Sequence, residues 1–287
     1  MKQKVLITGL SSSLMMSFAE HFDAASYEVV GLSRQQDLDS RFRWISGSII
    51  DLAGMNNVLA EIDILVHGAA ITHAFSEKEY LDVNYHQSIE LIKNAAAAGV
   101  KKVIYVSSRT AGMESGGYGK SKIMAEDFIK THCKDWLIFR PAEVFGGAKN
   151  EGIEKLIDDA LKRKFIFYPS GGEQMFPIDL ADTAKIMFEE SSKSKELIIL
   201  GGHEGYNYPD LIKKIATMAD KFTFAIPIPK LCMFALAKLV KVFNLKIGMV
   251  PDQVNRFYAK KSSQKLSYDL KPFGVYLEEK VNSFLHL

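Results

Sequence analysis

Apolar runs and polar breaks alternate along the chain with the rhythm of strand, helix, strand. Short runs rich in β-branched and aromatic residues, bounded by turn residues, predict buried parallel strands. Val5-Leu6-Ile7-Thr8-Gly9 is the first, Glu28-Val29-Val30-Gly31-Leu32 the second, and the segment opening Arg43-Trp44-Ile45 the third. Asp63-Ile64-Leu65-Val66-His67, Lys102-Val103-Ile104-Tyr105-Val106 and Trp136-Leu137-Ile138-Phe139 follow, and Ile198-Ile199-Leu200-Gly201 reads as the last. Between them apolar positions recur at helical spacing: Leu14, Met15, Phe18, Ala19 and Phe22; a long pattern over residues 77–98; then Met124, Ala125, Phe128 and Ile129. The expected fold class is α/β, a doubly wound parallel sheet whose ligands collect beyond the carboxyl ends of its strands.

One stretch carries chemistry. The fifth strand ends at Ser107-Ser108, and the helix after it opens with Tyr118-Gly119-Lys120-Ser121-Lys122. Tyr118 and Lys122 are four apart, so they share a helix face. A free phenol, with a pKa near ~10, is a poor base at neutral pH, and a neighbouring ammonium favours its ionised form. A serine hydroxyl at the strand end can hold a carbonyl or alcohol in line with the tyrosine. Tyr276 and Lys280 repeat the spacing, but Glu278 and Glu279 surround them and no serine-ended strand leads in; they read as a solvated helix face.

Composition narrows the partners. At 287 residues the chain fits one large α/β unit or a core with a smaller lobe, and a net charge of +2 offers no broad basic field for nucleic acid. Cys133 and Cys232 have no ligand-like spacing, and the seven histidines are scattered, so no metal site is expected. Reduced, buried cysteines of a cytoplasmic protein are the plain reading. The N-terminal apolar run is too short for a signal peptide, and nothing approaches the roughly 20 apolar residues that span a bilayer.

Ser108, Tyr118 and Lys122 resemble the catalytic triad of the short-chain dehydrogenase/reductase superfamily, and the chain length points to its extended branch, the NAD-dependent epimerase/dehydratase family. The resemblance implies a Rossmann-type core, mainly residues 1–170 with 171–204 returning to it, and a smaller C-terminal substrate lobe, mainly residues 205–287. It implies that Tyr118 transfers a proton, that Lys122 binds the cofactor ribose and lowers the tyrosine pKa, and that Ser108 orients the reacting oxygen. NADP or NAD is the implied cofactor and a nucleotide sugar the implied substrate. A helix pair around Tyr118 often forms a dimer in this superfamily, so a homodimer is compatible with the resemblance.

Co-linear segments extend the likeness over nearly the whole chain. The glycine-rich turn of the family falls on Gly9, Ser12 and Met15, so only its first glycine is kept. Ser12 retains a backbone N–H and a hydroxyl for a phosphate, whereas Met15 replaces the glycine that lets helix and strand pack closely. Ser33-Arg34 at the end of the second strand replaces the carboxylate that binds the adenosine ribose, which tilts the expectation toward NADP. Ser48 stands where an acidic residue often meets the adenine. His67-Gly68-Ala69-Ala70 resembles a family turn in which Ala69 and Ala70 leave room for the cofactor, with His67 a structural residue. Asn84 is expected to support the active-site helix. Arg140-Pro141 resembles a segment whose backbone beyond Pro141 borders the nicotinamide.

Two departures bear on the reaction. Glu143 stands where many sugar-nucleotide enzymes place an asparagine, and its charge repels a diphosphate unless Lys149 or another cation offsets it. Arg109 and Thr110 follow Ser108 in place of the Asp-Glu pair of dehydrating members, which leaves ketone reduction or 4-epimerisation. Two rivals stand beside this reading. The first is a degenerate dehydrogenase fold kept for binding or regulation, motivated by the lost glycines. The second is a membrane-associated enzyme acting on a lipid-like substrate, motivated by Glu143 and the apolar helix at residues 231–243. For that helix a core position in the lobe is the plain reading and an interfacial one the alternative.

Overall fold

The computed structural model describes residues 2–34, 39–243, 251–262 and 266–286. Along the chain the elements are β1 (Gln3–Thr8), α1 (Ser13–Ala19), β2 (Tyr27–Ser33), β3 (Arg43–Ser46), α2 (Ile49–Ala53), α3 (Asn56–Leu59) and β4 (Ile64–His67). Then come α4 (Glu77–Tyr80), a π-helical segment (Leu81–Gln87), α5 (Ser88–Ala97), β5 (Lys102–Val106), α6 (Gly116–His132), β6 (Trp136–Pro141) and β7 (Val144–Phe145). The remainder is α7 (Gly152–Lys162), β8 (Phe165–Pro169), β9 (Ile178–Asp179), α8 (Leu180–Glu189), β10 (Glu196–Leu200), α9 (Tyr208–Met218), β11 (Phe224–Ile228), α10 (Lys230–Val242), α11 (Pro251–Tyr258) and α12 (Phe273–Leu285).

Seven strands form one parallel sheet in the order β10-β6-β5-β4-β1-β2-β3. Successive side chains of a strand point to opposite faces, so a strand covered on both sides is apolar throughout. In β1, Val5 and Ile7 enter a core shared with Phe18 of α1 and Met187 of α8, while Leu6 enters a second core with Leu91 of α5 and Ile129 of α6. The strand order reverses between β1 and β4, which opens the crevice at the carboxyl edge expected from the sequence.

A further core lies apart from the sheet. It joins Phe145, Ile153 and Ile157 to Leu211 and Ile215 of α9 and to Phe273, Tyr276 and Leu277 of α12, beside the small parallel pair β8–β11. Tyr276 is therefore no solvated residue: it is buried, its hydroxyl donates to Glu154 at 2.5 Å, and Lys280 lies 3.3 Å from the same carboxylate. Helix α10 also departs from the plain expectation. Met233, Ala237 and Val240 are buried, but Leu231, Leu239, Val242 and the following Phe243 are exposed. Cys133 is half-buried and Cys232 exposed, so neither is the buried thiol expected.

An ionic knot is buried where α6 crosses β5 and β6. Glu126 of α6 accepts from the Ser107 hydroxyl at 2.5 Å and receives the Arg140 guanidinium through two bonds of 2.8 and 2.7 Å. The carboxylate is fully buried. Removing one partner of such a pair leaves an uncompensated charge, so Glu126→Ala is expected to lower unfolding free energy by about 3–5 kcal/mol in urea titrations. Replacing both charges, as Glu126→Leu with Arg140→Met, should recover most of that loss.

Candidate active site

The residues singled out in the sequence meet at the carboxyl edge of the sheet. Strand β5 delivers Ser107 and Ser108, and the chain loops through residues 109–115 before α6 begins. Gly119 lets that loop close on the helix: a Cβ there would fall 2.4 Å from the Thr110 carbonyl oxygen, and the Gly119 carbonyl accepts from Gly112 N–H at 3.1 Å. Ser108 is held locally, its Oγ 3.0 Å from the Thr110 hydroxyl and accepting the Thr110 N–H at 3.2 Å. The Ser108 hydroxyl also acts on the Tyr118 phenol, favouring its ionised form.

Lys122 lies one turn beyond Tyr118 and is buried. Its ammonium donates to the Val106 carbonyl at 2.9 Å and sits 4.8 Å from the Tyr105 ring centre and 6.0 Å from that of Tyr118. Burial lowers its pKa to about 8, against the opposing pull of Glu126 one turn further on. Tyr118 does not follow the expectation that Lys122 lowers its pKa. Burial pushes the phenol up, and the groups acting against that rise are the Arg256 guanidinium and the Ser108 hydroxyl.

Arg256 was not marked by any sequence signal. It belongs to α11, and its guanidinium lies 4.9 Å from the Tyr118 ring centre, while the Tyr80 ring meets that of Tyr118 edge to face at 6.0 Å. Its Nη2 donates to the Thr72 carbonyl at 3.2 Å, and its Nε lies 3.3 Å from Asp252. The Asp252 carboxylate in turn accepts the backbone N–H groups of Gly117 and Tyr118. Helix α6 has no side-chain cap of its own at Ser115, so an acidic residue from α11 satisfies its first turn.

The residues expected to meet a cofactor are spread along the sheet's carboxyl edge, from the end of β6 to the end of β2. Gly9 has φ of +75°, and a Cβ on it would fall 2.8 Å from Ala69 N. The Ser12 N–H donates to the Gly9 carbonyl at 2.9 Å and its Oγ accepts from Met15 N–H, so that backbone donor is engaged within the turn and the hydroxyl proton remains. Met15 is buried and fills space left by Gly68: a Cβ on Gly68 would lie 2.3 Å from its sulfur. Thus the close packing expected of a glycine at position 15 rests here on Gly68, just beyond β4. Ser33 is buried at the end of β2 and Arg34 is exposed beside it. Pro141 closes β6, its carbonyl accepting Arg109 N–H at 2.9 Å. Ser48, in place of an adenine-binding acid, caps α2 in a reciprocal box with Asp51.

His67 is the structural residue expected, whereas the side chain of Asn84 holds the loop after β4 and not the active-site helix. Ala69 N–H donates to Thr8 Oγ1, which lies 2.7 Å from His67 Nδ1, while His67 Nε2 lies 2.8 Å from Ser88 Oγ and that hydroxyl reaches the Val83 carbonyl. With the Ser88 proton directed to Val83, Nε2 carries the ring proton and Nδ1 accepts from Thr8. Burial lowers the His67 pKa to about 3, so it stays neutral. Asn84, in the π-helical segment, clamps Ile71 through both backbone groups at 2.8 and 2.9 Å.

A cavity of about 580 Å³ adjoins this edge, and Thr110, Glu143, Tyr208, Arg256 and Lys261 contribute to its wall. Burial alone would raise the Glu143 carboxyl, but Lys261 and Arg109 hold it below the ordinary range. Arg109 Nη2 lies 3.0 Å from both carboxylate oxygens and Lys261 Nζ 3.4 Å from one. The offsetting cations are therefore these two, and Lys149 is exposed elsewhere. Among the described residues no cluster of side chains has the makings of a metal site.

The sequence profile of the NAD dependent epimerase/dehydratase family matches residues 5–201. The chain belongs to that family. A UDP-glucose 4-epimerase of Vibrio cholerae is 24% identical over 211 residues, which cover 63% of this chain and 64% of that enzyme. The match thus spans just under two thirds of the relative's length. Among solved structures, the UDP-glucose 4-epimerase of Thermotoga maritima with UDP-glucose superposes with a TM-score of 0.67 at 16% identity, over 79% of this chain and 86% of that one. The Bordetella bronchiseptica enzyme WbmH with NAD+ gives 0.66 at 16%, over 80% and 86%. At such identities the structural likeness establishes the fold.

The family's dinucleotide suits the donors present. A lysine ammonium has three N–H donors, and Val106 engages one at Lys122, which leaves donors that would suit ribose hydroxyls. Burial of Lys122 carries a stability consequence. Its folded pKa of about 8 lies below the ordinary 10.5, so the penalty on the charged form is full below pH 8 and fades as pH rises toward 10.5. Lys122→Met is expected to raise unfolding free energy at neutral pH by about 1–3 kcal/mol, and to remove the rise in stability over that alkaline window, as read by denaturation at several pH values.

Proposed function

We propose that the protein is a nicotinamide-dinucleotide-dependent epimerase or reductase that acts on a secondary alcohol or ketone, with a nucleotide sugar as substrate. The observation that carries this reading is the convergence of Ser108, Tyr118 and Lys122 at the carboxyl edge of the sheet, next to the cavity walled by α7, β8, α10 and α11. The related epimerases supply the substrate class, and the UDP-glucose and NAD+ in the two solved structures agree with it.

A bound dinucleotide supplies hydride exchange at the reacting carbon. Lys122 would hold its ribose, Gly9 and Ser12 its pyrophosphate, Ala69, Ala70 and Pro141 its nicotinamide half, and Ser33 with Arg34 its adenosine ribose. Arg34 favours a 2′-phosphate there, hence NADP. Tyr118 is protonated at neutral pH because burial raises its pKa, so it stands ready to donate to a ketone oxygen. In the reverse direction it must release that proton, and Arg256 and Ser108 both stabilise the phenolate. Arg109 is ion-paired with Glu143, and Thr110 bears no charge, so no acid–base pair for dehydration follows Ser108.

A binding-only protein is the competing reading, and the observation favouring it is Met15 in the nucleotide turn. Calorimetric titration with NADP, NADPH, NAD and NADH separates the two. Binding is expected, with Arg34→Ala weakening NADP(H) about tenfold or more and leaving NAD(H) unchanged. Absence of dinucleotide binding by folded, cofactor-free protein would remove the enzymatic reading. Tyr118→Phe should lower turnover of UDP-glucose or a keto-sugar nucleotide by ~10²–10⁴ while retaining dinucleotide binding. The oxidising direction should quicken as pH rises from neutral, because it needs the ionised phenol.

A further inference from the structure

Among the described residues, nine of the thirteen exposed large apolar side chains lie in or beside β8, β11 and α10. In β8 and β11, Ile166 and Ala225 pack toward the core of α7 and α9, while Phe165 and Phe224 pair across the strands on the outer face with rings stacked at 5.3 Å. Phe167 and Phe222 are exposed beside them, at 65% and 76%. Strand β11 runs through Pro229 into α10, whose inward stripe is Met233, Ala237 and Val240. Its opposite side presents Leu231 at 81% exposure, Leu239 at 51% and Val242 at 66%, and Phe243 follows at 65%. Exposed apolar side chains grouped in this way mark an interaction surface.

Charge identifies the partner. From Lys221 to Pro251 the sequence holds five lysines and no acidic residue. Lys238 lies on the same exposed side of α10 as Leu231 and Val242, and Lys241 flanks it. A two-fold contact between copies would set this patch against itself, bringing lysines into an apolar interface without counter-charges. An apolar helix face bearing lysines instead matches the boundary of a bilayer with anionic headgroups, where the apolar side chains enter and the ammonium groups meet phosphate. Among the described residues no helix is long and apolar enough to cross a membrane, so the contact is with the surface.

We propose that α10 and the outer face of β8–β11 dock this protein on an anionic lipid surface. Phe165, Phe167, Met233 and Leu236 also contribute to the wall of the 580 Å³ cavity, so docking sets the mouth of the cleft at the lipid boundary. The proposal is independent of the reaction assigned to that cleft.

Co-sedimentation of the full chain with phosphatidylcholine vesicles, with and without phosphatidylglycerol, tests it. Binding to the anionic vesicles is expected, weakening as salt is added. Leu231→Ser together with Val242→Ser should reduce partitioning about tenfold or more, and Lys238→Gln roughly fivefold. These positions are exposed, so circular dichroism and the thermal midpoint should stay at wild-type values. Failure to bind anionic vesicles, or equal binding to neutral ones, overturns the proposal. So does self-association in sedimentation velocity that the Leu231→Ser, Val242→Ser change abolishes, since that assigns the face to a second copy.

Discussion

The site depends on a buried carboxylate that does no chemistry. Glu126 binds Ser107 at the end of β5 and Arg140 near the end of β6, so one side chain ties two neighbouring strands to the helix that crosses them. Burial makes any unpaired member of that knot costly, and the two-pronged guanidinium contact admits little rotation. The knot therefore fixes the rotation of α6 about its axis. Tyr118 and Lys122 lie two turns and one turn before Glu126 on the same helix, and their direction follows from it. Glu126 also acts on Lys122 electrically, favouring its charged form against the burial that opposes it.

A similar economy explains the degenerate glycine turn. Helix and strand must approach closely for the dinucleotide fold to form its turn, and a methionine on α1 looks incompatible with that. The facing residue removes the conflict, since Gly68 has no side chain and Met15 occupies the space. Restoring glycine at position 15 alone would open a void beside Gly68, so the turn is not one substitution from the family's pattern. Glu143 follows the same logic. It looks hostile to an anionic substrate in isolation, but Arg109 and Lys261 bind it, and what the cleft presents is a three-membered ionic group with two cations.

Most of the sheet could be read from the sequence because a strand buried on both faces is apolar without interruption, a local signal. The serine-ended strand and the Tyr118 helix were equally local. Met15 and Gly68 could not be matched because the exchange joins residues from different crossovers. Arg256 and Asp252 lie more than 130 residues from Tyr118 in sequence, within a helix whose pattern shows only amphipathicity. The tyrosine pKa was misjudged for the same reason: helical spacing placed Lys122 near the ring, but spacing does not weigh burial against charge. Tyr276 was misread in that way too, since flanking glutamates suggest solvent while Glu154 waits in the core to receive its hydroxyl.

Asp252 and Arg256 change what the C-terminal part of the chain is for. A helix following the sheet core has unpaired N–H groups in its first turn, and here an aspartate from α11 accepts two of them. One turn later in α11, the arginine lies against the ring of the residue that those N–H groups introduce. Cap and cation are thus one device: the contact that seats α11 against α6 is also the contact that brings positive charge to Tyr118. Any shift of α11 away from α6 would uncap the helix and strip the phenolate of its strongest cationic neighbour together. The proton relay is therefore complete only when both parts of the chain are in place, although Ser108, Tyr118 and Lys122 all come from the sheet core.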